Sequence, residues 1–153
     1  MTSRKPHLAE WRPGARTSPM TPPITATTQR RPSERLRDAR EFLAHAKVEI
    51  REGRTRADKK FIRQGSEKAF HALVEACAAL AQKRGLGVPR NHDETRDRLV
   101  ELHELHLRDA YDDAMGRLHV LTYYKGWVEN ERIDEQVRAV ERAIDTIHRK
   151  LKG

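Results

Sequence analysis

Eight histidines are spread through this chain of 153 residues, and one of them, His119, is followed by an aromatic pair, Tyr123 and Tyr124, with Trp127 just beyond. An imidazole moves protons near neutral pH, and aromatic rings stack on nucleic-acid bases. The chemistry such a group suits is proton transfer by the imidazole and stacking on a base by the rings. Tyr123, Tyr124 and Trp127 also suit simple packing at a helix end.

A second pairing is Arg96 with His103. Seven residues separate them, which places both on one helical face, and Asp97 follows the arginine. Arg40 with His45, Arg98 with His103 and Arg142 with His148 have similar spacings, and a chain this rich in arginine yields several such pairs by composition alone. Glu101, His103, Glu104 and His106 crowd into one short stretch. A zinc site needs three or four converging ligands, and no Cys-x-x-Cys or second His-x-x-His supplies the rest, so neither a metal site nor a cofactor is expected. Cys77 is the only cysteine and has Ala76, Ala78, Ala79 and Leu80 around it, which marks a buried thiol and excludes an intramolecular disulfide.

The elements that must position these groups all read as helices. Charged residues make up 35% and apolar ones 37%, a balance that suits amphipathic helices around one core. Pro32 and Ser33 open the first helix, with Ser33 as the expected cap, and Leu36, Ala39, Leu43, Ala46 and Ile50 form its apolar stripe to an end near Gly53. A second helix, from about Ala57 to Arg84, carries Phe61, Gly65, Ala69, Ala72, Leu73, Ala76 and Leu80, and Gly85, Gly87 and Pro89 stop it. The third starts near Asn91 with Leu99, Leu102 and Leu105. The fourth, from about Arg108 to Trp127, carries Tyr111, Ala114, Met115, Leu118 and Leu121. The fifth, from about Glu131 to Leu151, has the cleanest stripe: Ile133, Val137, Val140, Ile144, Ile147 and Leu151. No segment alternates as a strand does. The expected fold is all-α, an antiparallel bundle of about five helices over residues 32–153.

The net charge of +8 is concentrated at the start, where residues 1–31 hold six basic residues and one acid, which leaves 25 basic and 22 acidic residues for the rest. Those residues lack periodicity and are rich in proline and threonine, so they read as a disordered basic tail, and Met20 is an alternative start. Such a tail makes weak, salt-sensitive contacts with phosphates or merely aids solubility. No apolar run is long enough for a membrane span or a signal peptide, and a cytoplasmic protein is expected.

Residues 116–144, GRLHVLTYYKGWVENERIDEQVRAVERAI, are the most distinctive stretch. Leu118 and His119, the pair Tyr123 and Tyr124, Gly126 and the closing amphipathic helix resemble the PaREP-type proteins of archaeal genomes, which are related to the HEPN superfamily of small helical bundles. The upstream SEKAFHALVEACAALAQKRGL and the turn from Pro89 to His92 are similar to the same pattern. HEPN proteins that cut RNA set an arginine a turn or two before a histidine, in a cleft between two protomers, where the imidazole moves a proton and the guanidinium holds the phosphate. The histidine position falls on His119, while Asp112, Asp113 and Ala114 stand where the arginine is needed and Arg117 points elsewhere. The resemblance therefore implies a non-catalytic, homodimeric HEPN-like bundle that binds a nucleotide, an RNA or a partner protein near His119, Tyr123, Tyr124 and Trp127. The alternative is a toxin-like, metal-independent ribonuclease that uses His119, or Arg96 with His103. A purely structural bundle without a ligand is a third reading.

Overall fold

In a computed structural model the described residues are 29–153. The helices are α1 (Pro32–Thr55), α2 (Lys59–Lys83), α3 (His92–Glu101), α4 (Leu105–Ala114), a π-helical segment (Met115–Tyr124) and α5 (Asn130–Lys152). No strand occurs among the described residues, and none of the described helices is long and apolar enough to cross a membrane. The expected basic tail lies outside the described residues except for its last three positions.

The cap of the first helix stands two residues earlier than its sequence suggests, at Arg31. Pro32 takes the first helical position, where its missing N–H costs nothing, and the Arg31 backbone N–H donates to Glu34 Oε1 at 2.9 Å, so Ser33 is not the cap. Nor does Gly53 end the helix. It is buried within α1, where a Cβ would stand 2.7 Å from Ile62, so glycine is needed for close approach to α2. The chain turns beyond it, with Ala57 left-handed at φ 52, the Asp58 N–H donating to Gly53 O at 2.7 Å, and the Asp58 side chain capping α2.

Gly65 repeats the device from α2, since a Cβ there would lie 2.7 Å from Ile50 and 3.0 Å from the Ala46 carbonyl oxygen. Arg35 with Glu75 at 2.7 Å and Lys68 with Glu49 join the same two helices antiparallel. Ile62, not Phe61, is buried on α2, and Phe61 instead lies under the Arg56 guanidinium, 5.5 Å from its ring centroid. Both residues approach Gly53, where a Cβ would meet Ile62 at 2.7 Å and Phe61 Cβ at 3.0 Å. Ala69, Phe70, Leu73, Ala76, Cys77 and Leu80 make α2 the central helix of the core.

Polar pairs bind α5 antiparallel to α1: Arg40 to Asp145 at 3.0 Å, Lys47 to Glu141 at 2.7 Å and Arg54 to Asp134 at 2.8 Å. Beneath them Ile133, Val140, Ile144 and Ile147 are buried. The third helix ends at Glu101, and His103 follows it in the left-handed region at φ 58 while the Glu104 N–H donates to Leu99 O at 2.8 Å. Leu105 then opens α4 and is half exposed, so it belongs to no stripe of α3.

The fourth helix is continuous only to Ala114 and then widens into the π-helical segment. Its end has reaching bonds, from Lys125 N–H to Val120 O at 3.0 Å and from Trp127 N–H to Leu121 O at 2.9 Å, before Gly126 leaves at φ 74. π-helical turns are rare and concentrate at functional sites.

Candidate functional site

His119 stands on the π-helical segment and meets α2. Its Nδ1 lies 2.6 Å from Glu67 Oε1, and both side chains are largely covered, at 17% and 16% exposure. The other oxygen of Glu67 lies 3.5 Å from Nε2 of His71, one turn along α2. A carboxylate so placed orients an imidazole and favours one tautomer.

The face of the imidazole stacks on Phe70, with ring centroids 5.1 Å apart. Tyr123 lies near-parallel at 6.4 Å, and Tyr124 meets it edge-on at 4.9 Å. Hydrogen bonds that reach five residues leave more than four residues in each turn, so the fourth and fifth residues after His119 both lie against it. The π-helical segment is what lets two successive tyrosines share one imidazole. Arg63 pins this end, since its Nε and Nη2 donate to Tyr123 O at 3.0 and 2.6 Å.

His92, the first residue of α3, brings a third imidazole to the cluster, 5.5 Å from His119 between centroids. Its Nδ1 lies 2.6 Å from the hydroxyl of the fully buried Tyr111. Burial holds His92 below the usual histidine range, and the neighbouring His119 and His71 add to the effect. Burial pushes the Tyr111 phenol up, so it keeps its proton beside His92. Beside the cluster Phe42, Gln64, Glu67, Lys68, His71 and Tyr123 line an open groove of about 370 Å³.

The other nominated residues fall elsewhere. Arg96 and His103 share no helical face, because α3 ends at Glu101 and His103 stands in the turn beyond it. Arg96 lies one turn along α3 from His92 and pairs through Nε with Asp112 Oδ1 at 2.6 Å. An arginine of α3 is thus bound to an acid of α4. Trp127 is exposed and lines a different cavity, of about 220 Å³, together with Arg117. No group of three or more His, Cys, Asp or Glu residues able to hold a metal ion occurs among the described residues. Cys77 is buried, and burial pushes its thiol up to about 12.

Glu67, His71, His92, Tyr111 and Arg63 were not nominated from the sequence. Glu67 and His71 lie in the alanine-rich stretch and His92 closes the Pro-x-x-His turn, so the three segments that carry the resemblance converge on one cluster. Their shared similarity was the available signal.

The model of the archaeal PaREP1/PaREP8 family matches residues 41–144. The chain belongs to this family. The match includes Glu67, His71, His92, His119, Tyr123 and Tyr124, so the whole cluster of this PaREP1/PaREP8 protein lies inside it. No curated protein and no solved structure gives a match.

Proposed function

We propose that this PaREP1/PaREP8 protein is a non-catalytic HEPN-like binding module of the cytoplasm that holds an unpaired base of a nucleotide or RNA in the groove beside His119. The observation that carries this reading is the position of Tyr123, which both stacks against His119 and, with His71, lines the groove. Stacking on an aromatic ring contributes about 1–3 kcal/mol per base, and Gln64 supplies a hydrogen-bonding edge in the same groove. Titration with adenosine monophosphate, and separately with a short single-stranded RNA, tests it. Tyr123→Ala should weaken binding about tenfold or more, and equal binding by the variant refutes the reading.

The protein acts as a homodimer in this proposal, since Val120, Tyr124 and Trp127 leave apolar surface exposed around the segment. Light scattering at high micromolar concentration should give twice the monomer mass, and a monomer throughout counts against pairing.

The second reading, a metal-independent ribonuclease, draws support from the imidazole of His119 oriented by Glu67 and from Arg96 held at Asp112. Against it, the groups that meet the His119 ring are Glu67, Phe70, His92, Tyr123 and Tyr124, none of them cationic by nature in the way a phosphate clamp requires. Incubation of a long single-stranded RNA with chelator, with wild type and with His119→Ala, decides between the two. Cleavage by the wild type that His119→Ala abolishes establishes the ribonuclease.

A further inference from the structure

A hollow of about 780 Å³ lies away from His119, between the first three turns of α1, the end of α2 and the last turn of α5. Pro32, Leu36, Ala44 and Leu151 give it an apolar floor. Around that floor stand Arg31, Arg37, Arg40, Lys83 and Lys152, with Glu41 as the one acid among the lining residues.

These charges are only partly answered from within. Arg40 is tied to Asp145 at 3.0 Å and Arg31 to Glu34 at 3.2 Å, while Arg37 reaches Asp38 only at 4.0 Å. Among the described residues Lys83 and Lys152 make no ion pair. Lys83 and Lys152 lie in the last turns of α2 and α5, where a cation offsets the helix dipole. That accounts for two of the five cations. The arginines are answered unevenly: Arg31 and Arg40 each hold one carboxylate, while Arg37, in the second turn of α1, has its nearest only at 4.0 Å, and all three border an apolar floor that water covers unfavourably.

We propose that this hollow docks an acidic amphipathic helix of a partner protein. The open stretch of α1 from Pro32 to Ala44 is roughly 18 Å long at the helical rise, which matches three turns of a guest helix whose apolar anchors recur at three and four residues. The floor takes the anchors, and the rim takes carboxylates on either side of them. Charge argues against the chain's own first 30 residues, which hold five basic residues and one acid. It argues equally against a second copy, because a two-fold contact sets each basic rim against itself.

The probe is a synthetic amidated helical peptide with leucines at the anchor spacing and glutamates elsewhere, followed by fluorescence anisotropy with the full chain. A matched peptide with lysines and vesicles of phosphatidylglycerol are the comparisons. The glutamate peptide should bind and the lysine peptide should not. Ala44→Trp, which fills the floor without changing charge, should weaken binding by about tenfold or more, as should Lys83→Glu with Lys152→Glu. Arg37→Glu, at a well exposed side chain, repeats the test without disturbing packing. Lys59→Glu with Lys60→Glu, at the far end of α2, should leave binding unchanged. Overturning results are equal binding of the two peptides, equal weakening by the remote pair, no binding by either peptide, or vesicle binding alone that the groove variants remove.

Discussion

Glu67 Oε1 and His119 Nδ1 lie 2.6 Å apart although 52 residues separate them in the chain. This pair joins the central helix α2 to the π-helical segment, and His71, Phe70, His92, Tyr123 and Tyr124 gather around it. Replacing Glu67 by alanine should cost about 1–3 kcal/mol, because it leaves a largely covered imidazole without its partner. Glu67→Gln keeps an acceptor and should cost less. Urea denaturation measures both, and equal stability of Glu67→Ala and wild type shows that the pair holds nothing together.

His92 ties stability to pH. Its folded value lies below the ordinary histidine range, through burial first and through the charges of His119 and His71 next, while Glu67 and Asp93 pull the other way. The unfolded chain therefore binds the proton more readily, so stability rises with pH between the depressed value and about 6.5. Acidification from neutral pH through that window should lose this contribution, and His92→Gln should flatten the profile relative to wild type. An unchanged difference between the two across pH 5 to 7 goes against the prediction.

Two turns hold non-glycine residues in the left-handed region, Ala57 at φ 52 and His103 at φ 58. Ala57→Gly and His103→Gly should each stabilise the fold by about 0.5–1 kcal/mol, because glycine adopts this conformation without Cβ strain. Thermal unfolding measures it. If the proposed binding at His119 is real, His103→Gly should leave it untouched.

The glycines separate close approach from open space. A methyl group at Gly65 meets Ile50 at 2.7 Å and a backbone carbonyl at 3.0 Å, whereas at Gly116 it meets nothing within 4 Å. Gly65→Ala should destabilise by about 1–3 kcal/mol in spite of better helix propensity. Gly116→Ala should be neutral or mildly stabilising. Leu80→Ala and Ile144→Ala, at fully buried positions, should cost about 2–5 kcal/mol by leaving cavities. Similar midpoints for all four in chemical denaturation contradict the packing described.

The apolar stripes of α1 and α5 were legible in the sequence because helical periodicity is local: Leu36, Ala39, Leu43, Ala46 and Ile50 are buried, and so are Ile133, Val137, Val140, Ile144 and Ile147. The same holds for the stop after α2, where Gly85 adopts φ 81 and the Leu86 N–H donates to Ala81 O at 3.0 Å. His119 with its two tyrosines was likewise visible as a motif, and the structure sets the three rings together. What neighbours decide was not visible. Helix α1 ends two residues past Gly53, at Thr55, but that Gly53 is a contact point with α2, and that Ile62 and not Phe61 is buried there, shows only in three dimensions. The π-helical segment was read as ordinary helix, since a shift from bonds reaching four residues to bonds reaching five leaves the residue types unchanged. Packing between helices alone set Glu67 and His92 against His119 and carried Arg96 to Asp112. The stripe on each helix says which face turns inward, but the register of one helix against the next depends on side chains far apart in the chain, and that register built the candidate site.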